Sequence, residues 1–137
     1  MDLGAKLTDE LTVSPQIQAE DVAAIAAAGF KMIVCNRPDG EEFGQPPFSL
    51  IEKTAADAGL EARFLPVVSG GMTLENVEDF GLALKEASGP VFAYCRSGTR
   101  CTALWSLNAV KGRPVSEVLE TAARAGYDMS GLLGREG

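Results

Sequence analysis

Short apolar segments alternate with longer stretches in which apolar residues recur at helical spacing. Segments rich in β-branched or other apolar residues predict strands at 11–13, 31–35, 62–67 and 91–94. Helices are predicted by the apolar stripes Val22, Ile25 and Ala26; Phe48, Ile51, Ala55 and Ala58; Leu74, Val77, Gly81 and Leu84; the segment from about 100 to 110; and Val115, Val118, Leu119 and Ala122. Strands that alternate with helices are typical of β-α-β units, so we expect an α/β fold with a mostly parallel sheet.

The carboxyl ends of parallel strands meet at one edge of a sheet, where ligands bind. The loops at 36–46, 68–72 and 95–100 follow three of the predicted strands. We therefore expect these loops to surround a common crevice.

Composition narrows the class of protein. With 137 residues, of which 46% are hydrophobic, we expect one packed domain over 1–137. The chain has 12 basic and 19 acidic residues, a formal net charge of −7, so we expect no nucleic-acid partner. The odd cysteine count, 3, and the lack of a signal-peptide pattern predict reduced thiols in the cytoplasm. No apolar stretch approaches the roughly 20 residues of a membrane helix, so we expect no membrane partner.

Histidine is absent from the sequence. This absence excludes Cys-His pairs, Ser-His-Asp triads and the usual histidine-based zinc sites. Any chemistry must therefore proceed without an imidazole. We also expect neither a metal nor a cofactor.

The segment Cys95-Arg96-Ser97-Gly98-Thr99-Arg100 joins the last predicted strand to a helix. A strand, a tight loop and a helix start direct backbone N–H groups at one point, which attracts anions and favours a thiolate. Arg100 is better placed than Arg96 to fold over an anion as a bidentate fork, and we expect Arg96 to face solvent. We predict Cys95 and Arg100 as catalytic residues, in an anion-binding loop formed by Arg96, Ser97, Gly98, Thr99 and Arg100. The alternative is that Cys95 is a small core residue at a strand end.

This loop has four residues between Cys95 and Arg100, as in rhodaneses, whereas cysteine-dependent phosphatases have five. Elsewhere the chain resembles a dual-specificity phosphatase, in Ser14-Pro15, in Gly29-Phe30, in the Asn-Arg-Pro-Asp-Gly-Glu loop at 36–41 and in Phe64-Leu65-Pro66-Val67. The combination resembles the phosphatase-like domain of the beta-lactamase hydrolase-like protein family, over about residues 8 to 128. The resemblance implies a cysteine-phosphatase-like α/β architecture, with helices on both faces of the sheet, and a place in bacterial sulfide and persulfide detoxification.

Two departures from the phosphatase pattern favour sulfur chemistry. Ser69 stands where phosphatases carry an aspartate general acid, and Tyr94 stands where they carry a histidine. A loop one residue shorter should fit a terminal sulfur better than a phosphoryl group. We therefore predict a rhodanese-like sulfurtransferase, in which a Cys95 persulfide carries sulfur from thiosulfate or a persulfide to a thiol or cyanide. The resemblance adds a persulfide dioxygenase as an expected partner.

Two other functions remain open from the sequence. One is a cysteine-dependent phosphatase that forms a Cys95 phosphoenzyme with an aryl or protein phosphate, whose good leaving group needs no acid. The other is a non-catalytic anion-binding or redox-sensing module, with a bond between Cys95 and Cys101.

Several further residues are candidate auxiliaries. Cys101 stands where phosphatases carry a Ser or Thr that hydrogen-bonds the nucleophile, but it equally suits a core position. Arg37, Asp39 and Glu41 lie in a Pro-Gly loop, where they either line the entrance or form an ordinary exposed turn. We interpret Cys35 as a buried small hydrophobic residue.

Overall fold

The computed structural model describes residues 3–134, which contain five short strands. In chain order the strands are β1 Ala5–Thr8, β2 Leu11–Ser14, β3 Met32–Cys35, β4 Glu61–Phe64 and β5 Val91–Tyr94. They form one sheet in the order β1-β2-β5-β3-β4, in which β1 pairs antiparallel with β2 and the remaining pairs are parallel. The helices are α1 Val22–Ala27, α2 Phe48–Asp57, α3 Leu74–Glu86, α4 Thr99–Ala109, α5 Val115–Arg124 and α6 Ser130–Leu133.

Strand β5 lies between β2 and β3 and is buried at all of its positions. Its first residue, Val91, pairs with Leu11 and Met32, and its last residue, Tyr94, pairs with Ser14 and Cys35. Helices cover both faces of such a parallel sheet, which explains why its strands are continuous apolar runs. The chain leaves β5 at Cys95, so Cys95 lies at the carboxyl edge of the central strand.

Two hydrophobic layers sandwich the sheet. Val91 and Ala93 point into the layer that includes Phe80 and Leu104, from α3 and α4. Phe92 and Tyr94 point into the other layer, which includes residues of α1 and α2. The alternation of side chains along one strand therefore supplies both cores.

The predicted α/β class and mostly parallel sheet are confirmed, and the strand bounds differ by a few residues. The predicted strand at 62–67 ends at Phe64, although Leu65 N still donates to Cys35 O at 2.9 Å and Val67 N to Asn36 O at 3.0 Å. Strand β1 was not predicted, because it is a short edge strand whose pattern is interrupted by exposed Lys6. Within residues 3–134, no helix combines the length and hydrophobicity needed to cross a bilayer.

Candidate active site

The loop at Cys95 connects the central strand to α4, with only the four residues 95–98 outside regular structure. Gly98 precedes α4 with a left-handed backbone, at a φ of 92°, which a residue with a side chain rarely adopts. This conformation turns the chain sharply, so that Gly98 N donates to Cys95 Sγ at 3.1 Å. Cys95 itself is fully buried. The nucleophile predicted from the sequence therefore lies under the amino end of a helix, within reach of backbone donors.

Several donors hold the pKa of Cys95 at about 5, well below 9.0. The largest cause is a hydrogen bond from the Cys101 side chain, and the backbone N–H groups of Cys101, Ser97 and Arg100 act in the same direction against the effect of burial. Burial raises the pKa of Cys101, which therefore stays a thiol and a donor. Cys95 is a thiolate at neutral pH, and the sulfur is primed for nucleophilic attack.

Arg100 is anchored by two acceptors. Its Nη1 donates to Glu41 Oε2 at 2.8 Å and to Val67 O at 2.9 Å, and its Nη2 donates to Glu41 Oε1 at 2.8 Å. Of the five N–H donors of a guanidinium, three are thus used by these described residues. The Nε–H and one Nη2–H remain, and together they form the side-on fork that suits an oxyanion.

Glu41 is held in turn by Arg37, which follows β3. Arg37 Nε donates to Glu41 Oε1 at 2.9 Å, and its Nη1 and Nη2 donate to Gln16 Oε1 and Glu42 Oε1, each at 3.0 Å. The hydrogen bonds from Arg100 and then Arg37 lower the pKa of Glu41 to about 2. Glu41 is therefore ionised and orients Arg100.

Arg37 does not line the entrance to the site, which was one of the two interpretations of its loop. Its side chain is only 2% exposed, so it anchors the loop from below rather than lining an entrance. Asp39 accepts a hydrogen bond from Phe48 N at 2.8 Å and thereby satisfies a free N–H at the start of α2. The sequence placed Arg37 and Glu41 at the active-site edge but missed the hydrogen bond from Arg37 to Gln16, which is distant in the chain. The available signal for these ion pairs was an arginine shortly after a buried strand, Arg37, with two nearby acids, Glu41 and Glu42.

The remaining loop side chains interact mainly within the loop. Ser97 Oγ donates to Thr99 Oγ1 at 2.9 Å, and Thr99 N donates to Ser97 Oγ at 3.3 Å. The Arg96 side chain is 68% exposed, with Glu42 at 3.9 Å, as expected for the arginine that faces solvent. Tyr127, which the sequence did not single out, donates from Oη to Ser97 O at 3.0 Å.

The segment that would supply a general acid contains none. Val67 is buried, and Ser69 is exposed in a turn closed by the hydrogen bond from Gly71 N to Val68 O at 2.8 Å. Glu41 cannot donate a proton near neutral pH because its pKa is about 2. Tyr94 is buried in the core, and burial raises its pKa. The described residues around Cys95 thus provide a thiolate and several N–H donors, but no protonated carboxylic acid.

Comparison with known proteins adds the family context. Residues 2–112 match the family model described as the phosphatase-like domain of beta-lactamase hydrolase-like protein. The Beta-lactamase hydrolase-like protein of Agrobacterium fabrum is 36% identical over 126 residues, and that of Xylella fastidiosa is 32% identical over 125 residues. Each alignment covers 90% of this chain and 29% of the relative, so the chain spans less than a third of the length of these relatives.

Solved structures agree with this assignment. A Neisseria meningitidis protein described as a candidate phosphatase is 38% identical, with a TM-score of 0.86 over 96% of this chain and 94% of that chain. TpbA from P. aeruginosa, crystallised with pTyr, shares the fold at 19% identity, with a TM-score of 0.66 over 90% of this chain and 74% of that chain. The predicted family resemblance and the cysteine-phosphatase-like architecture are confirmed.

The prediction of a rhodanese-like sulfurtransferase, with its transferase and persulfide chemistry, is wrong. The matching family and the Neisseria structure are described as phosphatase-like, and none of the relatives named above is described as a sulfurtransferase. Loop length misleads here because Glu41 and the Val67 carbonyl, from other loops, fix the guanidinium of Arg100. The number of residues between Cys95 and Arg100 alone therefore does not determine where the guanidinium lies. The sulfur donor, the thiol acceptor and the dioxygenase partner stay predictions.

Proposed function

The chain belongs to the family of phosphatase-like domains of beta-lactamase hydrolase-like proteins, and from that premise we propose that it is a cysteine-dependent phosphatase acting on aryl phosphates. One observation carries the proposal. A buried Cys95 thiolate, with a pKa of about 5, lies beside backbone donors and an arginine whose side-on edge is free among the described contacts. Phosphoryl transfer through a cysteine requires a thiolate nucleophile next to N–H donors that can bind the phosphate oxygens.

In the first step the phosphate group binds with its oxygens on the N–H groups of residues 96–100 and on the free edge of Arg100. The fixed donors stabilise negative charge on those oxygens as the transition state forms. The Cys95 sulfur donates an electron pair to phosphorus, an S–P bond forms, and the P–O bond to the leaving group breaks. The electron pair of that bond departs with the leaving oxygen.

The class of substrate follows from the missing acid. By the resemblance to phosphatases, Ser69 stands at the position of the general acid, and a serine hydroxyl cannot protonate a departing oxygen near neutral pH. A phenol has a pKa of about 10, so a phenolate leaves far more readily than an alkoxide. The site therefore favours aryl phosphates, including phosphotyrosine, over the alkyl phosphates of serine and threonine.

In the second step water attacks the phosphorus of the Cys95 phosphoenzyme. The S–P bond breaks, inorganic phosphate is released, and the sulfur departs as a thiolate. The low pKa of Cys95 makes its thiolate a good leaving group. The carboxylate beside Arg100, Glu41, is bound by two arginines, and with a pKa of about 2 it is too weak a base to activate the water. This step should therefore be slow, and the phosphoenzyme should accumulate.

Hydrolysis of para-nitrophenyl phosphate tests the proposal. The wild-type chain should release nitrophenol and phosphate, and Cys95→Ser should abolish both. Cys35→Ser is the matched control, because Cys35 is also buried and its Sγ donates to Arg37 O at 3.2 Å, a bond that serine can retain. Equal rates in the wild type and Cys95→Ser would overturn the proposal, as would a wild-type chain that hydrolyses no aryl phosphate.

A further inference from the structure

Tyr127 contacts the Cys95 loop from the connection between α5 and α6. Its hydroxyl donates to Ser97 O at 3.0 Å. The same hydroxyl lies against Gly98, where an added Cβ would overlap it. A close packing contact and a hydrogen bond therefore link one side chain to two consecutive residues of the loop.

The end of α5 fixes the position of Tyr127. Gly126 adopts a left-handed conformation, at a φ of 101°, directly after the helix cap. Tyr127 N donates to Ala122 O at 2.9 Å and Gly126 N donates to Ala123 O at 3.0 Å, which together form a Schellman motif. This motif ends the helix and holds the backbone of Tyr127, and the ring also packs against the hydrophobic core.

The peptide unit between Ser97 and Gly98 links Tyr127 to the nucleophile. A trans peptide is planar, and its C=O and N–H point in opposite directions. The Ser97 C=O accepts from Tyr127, and the Gly98 N–H of the same peptide donates to Cys95 Sγ at 3.1 Å. A donor that holds the carbonyl therefore also aims the N–H at the sulfur, and it polarises the peptide in the direction that strengthens that bond.

We propose that Tyr127 is a positioning residue of the active site, which holds the Ser97–Gly98 peptide so that its N–H faces the Cys95 sulfur and the bound oxyanion. This inference deepens the proposed phosphatase function and rests on it for the oxyanion. Tyr127 lies beyond residue 112, where the family match ends, so the segment after the matched domain completes the site. Burial and the nearby thiols of Cys101 and Cys95 raise the pKa of Tyr127, so its hydroxyl remains a donor at neutral pH.

Tyr127→Phe tests this role, because it removes the hydroxyl and keeps the ring. Thr121→Val is the matched control, since it removes a hydroxyl from α5 that donates to Glu117 O at 3.0 Å within the same helix. The first readout is the pH dependence of Cys95 alkylation by iodoacetamide, followed by intact-protein mass. The second is the concentration of inorganic phosphate that halves the alkylation rate. Neither readout requires turnover.

We expect Tyr127→Phe to raise the pH midpoint of alkylation and to increase the half-protecting phosphate concentration by about three- to tenfold, the loss of one hydrogen bond. Thr121→Val should match the wild type in both measurements. A Tyr127→Phe variant that also matches the wild type in both would overturn the inference. If the variant shows both changes but the wild type hydrolyses no aryl phosphate, the positioning role stands and the phosphatase function fails.

Discussion

Cys101→Ala removes the interaction that lowers the pKa of Cys95 most, the hydrogen bond from the Cys101 side chain. The structure holds this pKa at about 5, against 9.0 for an unperturbed thiol. A hydrogen bond to a charged group contributes about 1.5–3 kcal/mol, which corresponds to roughly one to two pKa units. The remaining backbone donors should still act, so we expect the pKa of Cys95 in Cys101→Ala to rise by about one to two units.

The assay is the rate of iodoacetamide alkylation as a function of pH, read from the intact mass of the protein. Cys35 interferes little, because its thiol is buried and burial raises its pKa. The wild-type rate should rise through pH 5 and reach a plateau near neutral pH, as expected for a pKa of about 5. The midpoint should move upward in Cys101→Ala and return toward the wild-type value in Cys101→Ser, which restores a hydroxyl donor. An unchanged midpoint in Cys101→Ala would refute the reasoning, because the loop amides alone would then account for the thiolate.

Three further predictions concern the support of the site, its pH dependence and its missing acid. Glu41→Gln should lower kcat/KM for aryl phosphates by about 5- to 150-fold, because Arg100 loses its ionised anchor, a loss of about 1–3 kcal/mol. Glu42→Gln is the control. Tighter phosphate binding in Glu41→Gln would instead mean that Glu41 competes with the substrate. The pKa of Cys95 falls from 9.0 to about 5 on folding. Between pH 5 and pH 9 the ionised thiolate should therefore raise the free energy of unfolding by at most about 1.4 kcal/mol per pH unit, and this contribution is lost as the pH falls through 5. Urea denaturation at several pH values should show this slope in the wild type and not in Cys95→Ser, and identical slopes would count against a buried thiolate. Ser69→Asp should raise hydrolysis of alkyl phosphates more than that of aryl phosphates, by about tenfold or more; equal effects on both substrates would mean that residue 69 does not reach the leaving group.

Local sequence was sufficient to predict the strand, loop and helix around Cys95. The central strand is a continuous apolar run, and Gly98 permits the sharp turn that follows it. The strand, the turn and the start of the helix lie within about ten residues of one another, so local patterns were enough to predict them. The antiparallel edge strand Ala5–Thr8 was missed because it is short, with Lys6 exposed, and is held by pairing with β2 rather than by its own pattern.

The supporting contacts of the site could not be predicted because they join distant parts of the chain. Glu41 and Arg100 are 59 residues apart, and Ser97 and Tyr127 are 30 residues apart. No local periodicity records such pairs, since the packing of loops at the sheet edge brings them together. The same limit explains the error about sulfur transfer. That prediction relied on the length of the loop, whereas the position of the Arg100 guanidinium also depends on Glu41.

Trapping of the phosphoenzyme tests the central claim most directly. The wild-type chain is mixed with para-nitrophenyl phosphate, quenched within the first turnover and analysed by intact-protein and peptide mass spectrometry. We predict one phosphoryl group on Cys95, together with a burst of nitrophenol equal to the enzyme concentration, and neither in Cys95→Ser. Phosphate release without a phosphoryl group on Cys95, or with the group on another residue, would contradict the account.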